Sequence, residues 1–136
     1  MVAVAESKTI LYIDDKRDSR DVFRAHFEKS GDILLTAATG KQGLELLAGN
    51  RVDAVILDYQ MPGMSGGAVL QIVKRGTPGL PVLVLAERSM SVPQDVRNVT
   101  TVVPTRGMST SRLVRAVETI FETRIAKSLR RGAASA

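Results

Sequence analysis

The sequence contains no cysteine, no tryptophan and one histidine, and aromatic residues make up only 4% of its 136 positions. Without cysteine the chain cannot form disulfides, thiolate zinc sites or cysteine nucleophiles. His26 has neither a cysteine nor a second histidine with which to hold zinc, so we predict that it is structural, at the edge of the first helix. Because aromatic residues are few, the core must consist mainly of Val, Leu, Ile and Ala.

Long apolar runs are also missing. No stretch approaches the roughly 18 apolar residues that a membrane-spanning helix needs. Residues 1–7 include Glu6, carry no basic leader and are too short for a secretory apolar region. We therefore expect a soluble chain without a membrane span.

The net charge of +5 lies entirely in residues 106–136, which hold seven Lys and Arg against Glu118 and Glu122, whereas residues 1–105 are balanced. Such a basic end can meet nucleic acid, an anionic lipid surface or an acidic partner. The plainer interpretation, which we favour, is a solvated helix face followed by a frayed tail. No helix-turn-helix or other base-reading motif is present, so we expect no nucleic acid partner. The basic side chains towards the end are Arg124, Lys127, Arg130 and Arg131.

Five short β-rich runs alternate with helical patterns. Three of the runs, ILYI, VILD and VLVL, are almost continuously apolar, which is typical of parallel strands covered on both faces. Thr39 with Gln42 forms a capping-box pattern, Ser109 can cap the last helix, and Gly31 follows the first helix as a stop. The predicted strands are residues 8–13, 32–36, 52–57, 81–85 and 100–103, and the clearest helices are 17–30, 39–49, 65–75 and the segment after Ser109.

Strands and helices alternating at this spacing predict one doubly wound α/β domain. We place it at residues 8–127, after a short extension (1–7) and before a basic, flexible tail (128–136). Residues 89–98 contain Pro93 and little periodicity, so a fourth helix there should be short or poorly ordered. Ligands of such folds bind outside the carboxyl ends of the strands.

Three acidic residues follow predicted strands: Asp14 and Asp15 after the first, and Asp58 after the third. Because these strand ends share one edge of a parallel sheet, three carboxylates should converge there and repel one another unless a cation neutralises them. Ligands that are all oxygen favour a hard ion, Mg²⁺ or Mn²⁺, which also bridges to phosphate. The alternative is that each aspartate only caps the following helix.

The pair Asp14-Asp15, the run LDYQMPGMSG at residues 57–66 and the 43-residue spacing from Asp15 to Asp58 closely resemble bacterial response-regulator receiver domains, the CheY-like family. The resemblance covers about residues 8–127. It implies a five-stranded parallel sheet of strand order 2-1-3-4-5 with helices on both faces, and a location in the bacterial cytoplasm.

The resemblance also implies roles for individual residues. Asp58 corresponds to the phospho-acceptor, which receives its phosphoryl group from a sensor histidine kinase or a phosphotransfer protein. Asp14, Asp15, Asp58 and the backbone carbonyl of Gln60 correspond to the ligands of Mg²⁺. The loop beyond the acceptor corresponds to Pro62, Gly63 and Gly66. Such a domain acts as a stand-alone switch on an unknown protein target.

Three positions depart from the family pattern. Ala86 stands where receivers carry a Thr or Ser that contacts the phosphoryl group, and Val103 stands roughly where an aromatic switch residue is common. Arg106 replaces the lysine after the fifth strand. We therefore predict that output uses another element, either residues 89–98 or the last helix. A second copy of the chain, docking through the face between Ser89 and Ile125, is one partner that we consider.

Two other functions compete with the phospho-acceptor. Ala86 and Val103 favour a pseudo-receiver adaptor that acts without phosphorylation. Phosphatases of the haloacid dehalogenase type also use an aspartate nucleophile, but they need a second aspartate two residues later, where this chain has Gln60. We therefore expect no enzyme, and at most slow hydrolysis of the chain's own acyl phosphate.

Overall fold

The computed structural model describes residues 7–125, with the side chains of residues 7–123. The description excludes the predicted tail and most of the predicted extension. It also excludes the side chains of four basic residues, Arg124, Lys127, Arg130 and Arg131. The elements alternate along the chain as β1 (Thr9–Ile13), α1 (Arg17–Lys29), β2 (Ile33–Ala37), α2 (Gly40–Gly49), β3 (Ala54–Asp58), α3 (Gly66–Gly76), β4 (Val82–Ala86), α4 (Gln94–Val99), β5 (Thr101–Pro104) and α5 (Thr110–Ile120).

The strands form one parallel sheet in the order β2-β1-β3-β4-β5, which confirms the predicted topology. The predicted bounds were slightly wrong, since each strand begins one or two residues later than expected and β2 to β5 each end one residue later. Pairing with neighbours causes the difference: Ala37 pairs with Ile13, and Asp58 pairs with Leu85. Asp58 is therefore the last residue of β3.

Helices cover both faces of the sheet. One face packs against α1 and α5 through Phe23, Phe27, Val114 and Val117, and the other packs against α2 and α3. All residues of β3 and β4 are buried, as their continuous apolar pattern predicts. His26 lies at the partly exposed edge of α1, where its Nε2 contacts a carboxylate oxygen of Glu118 on α5.

Two helices begin with the caps that the sequence predicts, Thr39 and Ser109, and α3 begins with a further cap, Ser65. The hydroxyls of Thr39, Ser65 and Ser109 accept hydrogen bonds from backbone N–H groups of α2, α3 and α5, at 3.1, 3.2 and 3.3 Å. Gly31 has φ +86°, the left-handed conformation that commonly follows a helix and favours glycine.

The segment of weak periodicity forms a 3₁₀ turn at Ser89–Ser91 and the six-residue α4, so the expected fourth helix is short. The helix α5 continues into a π-helical turn at Phe121–Ile125. None of the helices in residues 7–125 has the length and apolar character required to cross a membrane.

Candidate functional site

The carboxyl edge of the sheet brings three acids together. Asp14 follows β1 directly, Asp58 ends β3, and one oxygen from each of Asp14, Asp15 and Asp58 lies within 4.8 Å of the others. The side chains of Asp14 and Asp58 are buried, whereas that of Asp15 is 34% exposed. The convergence expected from the strand pattern is therefore present, and we name these three residues the acidic cluster.

Asp14 is held in place by hydrogen bonds to both carboxylate oxygens. The hydroxyl of Tyr12 donates to Oδ2, and the backbone N–H of Lys16 donates to Oδ1 at 2.9 Å. Tyr12 is fully buried and stacks on Phe23, with ring centroids 4.3 Å apart. Burial, followed by the charge of Asp14, raises the pKa of Tyr12, so its hydroxyl stays protonated and remains a donor. Arg20 donates from Nη1 to the backbone carbonyl of Asp14 at 2.8 Å.

Lys16 is a member of the site that the sequence analysis missed. Its Nζ lies 3.2 Å from Oδ2 of Asp58 and 3.9 Å from Oδ1 of both Asp14 and Asp15. Burial of the ammonium lowers its pKa, but the attraction of Asp58, then of Asp14 and Asp15, outweighs burial, so the pKa is raised. The sequence places Lys16 directly after the acidic pair, but it does not give the direction in which the side chain turns.

The carboxyl group of Asp58 contacts one neighbour on each oxygen. Oδ1 accepts a hydrogen bond from the backbone N–H of Gln60 at 3.2 Å, and Oδ2 accepts one from Lys16. Burial and the charge of Asp14 nevertheless raise the pKa of Asp58 above its usual value, because Lys16 and Gln60 compensate only in part. Negative charge is therefore costly at Asp58, and an added cation would relieve that cost.

The acidic cluster fits a hard divalent cation. Its donors are all oxygen, as Mg²⁺ and Mn²⁺ prefer. Two oxygens on opposite sides of Mg²⁺ lie about 4.2 Å apart, so the observed spacing within 4.8 Å needs only small side-chain movements. The carbonyl of Gln60 as a further ligand stays a prediction.

The loop beyond Asp58 depends on two glycines. Gly63 has φ +80°, a conformation that side chains strain. A Cβ on Gly66 would lie 2.6 Å from Cα of Tyr59 and 2.7 Å from its carbonyl oxygen, and that same oxygen accepts a hydrogen bond from the N–H of Gly66 at 3.2 Å. The loop folds back against Tyr59, the residue directly after β3, only because position 66 has no side chain. Pro62, in the same loop, is exposed.

The three departures from the family pattern lie at the same edge of the sheet. Ala86 is buried at the end of β4, next to the Leu85 that pairs with Asp58, and Val103 is buried within β5. Arg106 is exposed, and its guanidinium makes no hydrogen bond or ion pair with any side chain of residues 7–123. Its backbone N–H donates to the carbonyl of Glu87 at 3.0 Å, which ties the loop before α5 to the loop after β4.

The surface expected to carry output combines apolar and polar groups. Met90 is 76% exposed and Val99 is 54% exposed. Between α3 and α4 lies an open cavity of about 480 Å³, lined among others by Tyr59, Lys74 and Val96. Docking of a second copy of the chain on this side stays a prediction.

Comparison with known proteins agrees with this geometry. The family model described as response regulator receiver domain matches residues 10–102. The response regulator MprA of Mycobacterium sp. (strain KMS) is 38% identical over 79 residues, which cover 58% of this chain and 34% of MprA. The chain spans between about a tenth and a third of the length of such curated relatives.

Solved structures share the architecture. The N-terminal domain of a response regulator receiver protein from Methanoculleus marisnigri JR1 has a TM-score of 0.62 and 30% identity, covering 85% of this chain and 98% of that one. The response regulator TrrA from Thermotoga maritima, in complex with Mg²⁺ and BeF, has a TM-score of 0.69 at 23% identity, covering 83% and 98%.

Proposed function

This chain belongs to the family of response regulator receiver domains, and from that premise we propose that Asp58 accepts a phosphoryl group in a reaction that depends on Mg²⁺. Receiver domains are phospho-acceptor signalling domains of two-component systems rather than enzymes. They interact with histidine kinases or phosphotransfer proteins, and we propose a phosphohistidine of such a protein as the donor. The observation that carries the proposal is the convergence of Asp14, Asp15 and Asp58 at one edge of the sheet.

The reaction is a simple transfer. A carboxylate oxygen of Asp58 attacks phosphorus, the new O–P bond forms, and the P–N bond of the phosphohistidine breaks. The electron pair of that bond stays on the imidazole nitrogen, which then takes up a proton. Positioning and neutralisation of the phosphoryl charge are the main requirements of such a transfer. Hydrolysis later returns the Asp58 carboxylate and inorganic phosphate.

Asp14, Asp15 and Asp58 would hold the divalent ion. When bound, the ion neutralises negative charge on the carboxylates and on the phosphoryl oxygens. The all-oxygen donor set and the raised pKa of Asp58, caused first by burial and then by Asp14, support this assignment. The complex of the similar protein TrrA with Mg²⁺ and BeF agrees with it.

Labelling with a small phosphodonor tests the proposal. With Mg²⁺ and radiolabelled acetyl phosphate, we expect the wild type to acquire label and Asp58→Asn to acquire none, because the amide oxygen of asparagine is a poor nucleophile. Asp95→Asn, which changes an exposed acid of α4, is the matched control and should label like the wild type. Equal labelling of wild type and Asp58→Asn would reject Asp58 as the acceptor.

A pseudo-receiver adaptor is the second candidate, because Ala86 and Val103 lack the hydroxyl and the ring that commonly couple phosphorylation to output. An adaptor of this kind would keep one conformation whether or not a phosphoryl group is present. Beryllofluoride, which mimics that group, distinguishes the two. If beryllofluoride with Mg²⁺ changes the amide NMR spectrum around α4 and β5, the adaptor is excluded; an unchanged spectrum at saturation supports it.

A further inference from the structure

Two basic side chains, Lys16 beside the acidic cluster and Arg106 in the loop before α5, differ in whether they contact Asp58. Lys16 is the one basic side chain in ion-pair contact with the acidic cluster within the described residues, and it reaches Oδ2 of Asp58 at 3.2 Å. Arg106, at the position where the resemblance leads one to expect a lysine, is exposed and pairs with no side chain of residues 7–123. Among the described residues, the basic side chain that contacts Asp58 is therefore Lys16, which lies after β1, and not a residue of the loop before α5.

We propose that the ammonium of Lys16 contacts the phosphoryl group on Asp58 and takes the part that the resemblance assigns to a lysine at the position of Arg106. This inference rests on the proposed phosphorylation of Asp58. It assigns to the turn between β1 and α1 a phosphate-contacting residue.

The position of Lys16 suits this contact. Its backbone N–H is fixed by the hydrogen bond to Oδ1 of Asp14, so the side chain starts at the rim of the acidic cluster. The side chain is 64% exposed, and few packing contacts oppose its movement. A phosphoryl group on Oδ2 of Asp58 would place its oxygens two bonds away from the atom that Lys16 already reaches. The ammonium can therefore pass from a carboxylate oxygen to a phosphoryl oxygen by a small rotation.

Lys16 and a divalent ion also oppose each other. The ammonium lies among the same three carboxylates that would hold the ion, so it should weaken binding of the ion in the unphosphorylated protein. Removing the charge of Lys16 should therefore have two effects of opposite sign. The site should bind Mg²⁺ more tightly and hold a phosphoryl group less tightly, a combination that mere misfolding would not produce.

Two titrations of the purified protein test the proposal. Calorimetry measures the Kd of Mg²⁺, and ¹⁹F NMR with saturating Mg²⁺ measures the Kd of beryllofluoride. For Lys16→Met we expect Mg²⁺ affinity to rise about fivefold or more, since a unit charge at 4 Å is worth that much even in water. We expect beryllofluoride affinity to fall roughly tenfold or more, the value of a charged hydrogen bond. Lys16→Arg, which keeps the charge, should retain much of the wild-type affinity for beryllofluoride.

Two further variants complete the experiment. Arg17→Met removes the neighbouring exposed charge, which pairs with Asp21 instead, and should leave both constants unchanged. Arg106→Gln tests the competing cation. Loss of beryllofluoride affinity in Arg106→Gln, with wild-type affinity in Lys16→Met, would overturn the inference and leave the proposed function intact. A wild type that neither labels on Asp58 nor binds beryllofluoride would overturn both.

Discussion

At the scale of single residues, Tyr12 connects the core to the acidic cluster. Its ring is stacked within the core while its hydroxyl donates to Asp14, so the orientation of that carboxylate is fixed from inside the protein. Groups that orient metal ligands in this way commonly matter nearly as much to the ion as the ligands do.

We therefore expect Tyr12→Phe to weaken Mg²⁺ binding roughly tenfold, within the range usual for such supporting groups. Phenylalanine retains the stack on Phe23, so the fold should persist. Isothermal calorimetry gives the Kd. Tyr59→Phe is the matched control, because the hydroxyl of Tyr59 makes no hydrogen bond with any other side chain in the described part of the chain, and its Mg²⁺ affinity should stay at the wild-type value. Wild-type affinity in Tyr12→Phe would show that the hydroxyl does not support the ion.

The sequence predicts where the acids lie but not which neighbours reach them. The alternation of predicted strands and helices places Asp14 and Asp58 at strand ends. A parallel sheet then brings those ends to one edge. Whether the long side chain of Lys16 turns towards the cluster or towards water depends on its side-chain torsions, which the residue pattern does not encode. The hydroxyl of Tyr12 was missed for a similar reason, because an apolar strand pattern treats tyrosine as core.

At the scale of elements, the start of α3 depends on contact between two backbones. The first turn of α3 lies against Tyr59 so closely that Gly66 leaves no room for a methyl group. The resemblance suggested this glycine, and the structure supplies the physical reason. A contact with backbone atoms cannot be relieved by rotating a side chain.

Gly66→Ala should therefore lower the free energy of unfolding by about 1–3 kcal/mol, as is usual for overpacking. Gly76→Ala is the control at the other end of the same helix, where a Cβ meets nothing within 4 Å. It should be neutral or stabilise by up to about 1 kcal/mol, because alanine is the better helix former. Urea denaturation of both variants measures the difference. Equal stability of the two variants would mean that α3 shifts to accommodate the methyl group.

Element types could be predicted from sequence more reliably than element ends. The apolar runs of β3 and β4 and the caps Thr39 and Ser109 identified these elements. The ends of β2 to β5 were one residue off, because they are set by partners on adjacent strands, such as Leu85 for Asp58. Hydropathy carries no information about that pairing, so the place of Asp58 inside the strand could not be predicted from sequence.

At the scale of the whole molecule, the acidic cluster makes stability depend on pH. Burial, and then Asp14, raise the pKa of Asp58 above its ordinary 3.8. As pH rises above that value, the unfolded chain releases this proton before the folded one does. The folded state then binds more protons than the unfolded state, and the free energy of unfolding falls as pH rises through that window. Asp58 thus destabilises the metal-free protein at neutral pH.

Asp58→Asn should accordingly be more stable than the wild type at neutral pH in EDTA, and the gain should shrink as pH falls towards 3.8. Urea denaturation across this pH range measures both trends. Added Mg²⁺ should reduce the gain at neutral pH, because it stabilises the wild type preferentially. Asp95→Asn should follow the wild-type curve. A pH-independent difference between Asp58→Asn and the wild type would contradict the assigned titration.

The position of the two tyrosines has an optical consequence. Tryptophan is absent from the chain, so no tryptophan emission obscures the tyrosine fluorescence, which comes from Tyr12 and Tyr59. One phenol donates to Asp14, and the other directly follows Asp58. The tyrosine fluorescence of the protein therefore originates beside the acidic cluster, and the unlabelled molecule carries its own spectroscopic reporter of what occupies that edge of the sheet.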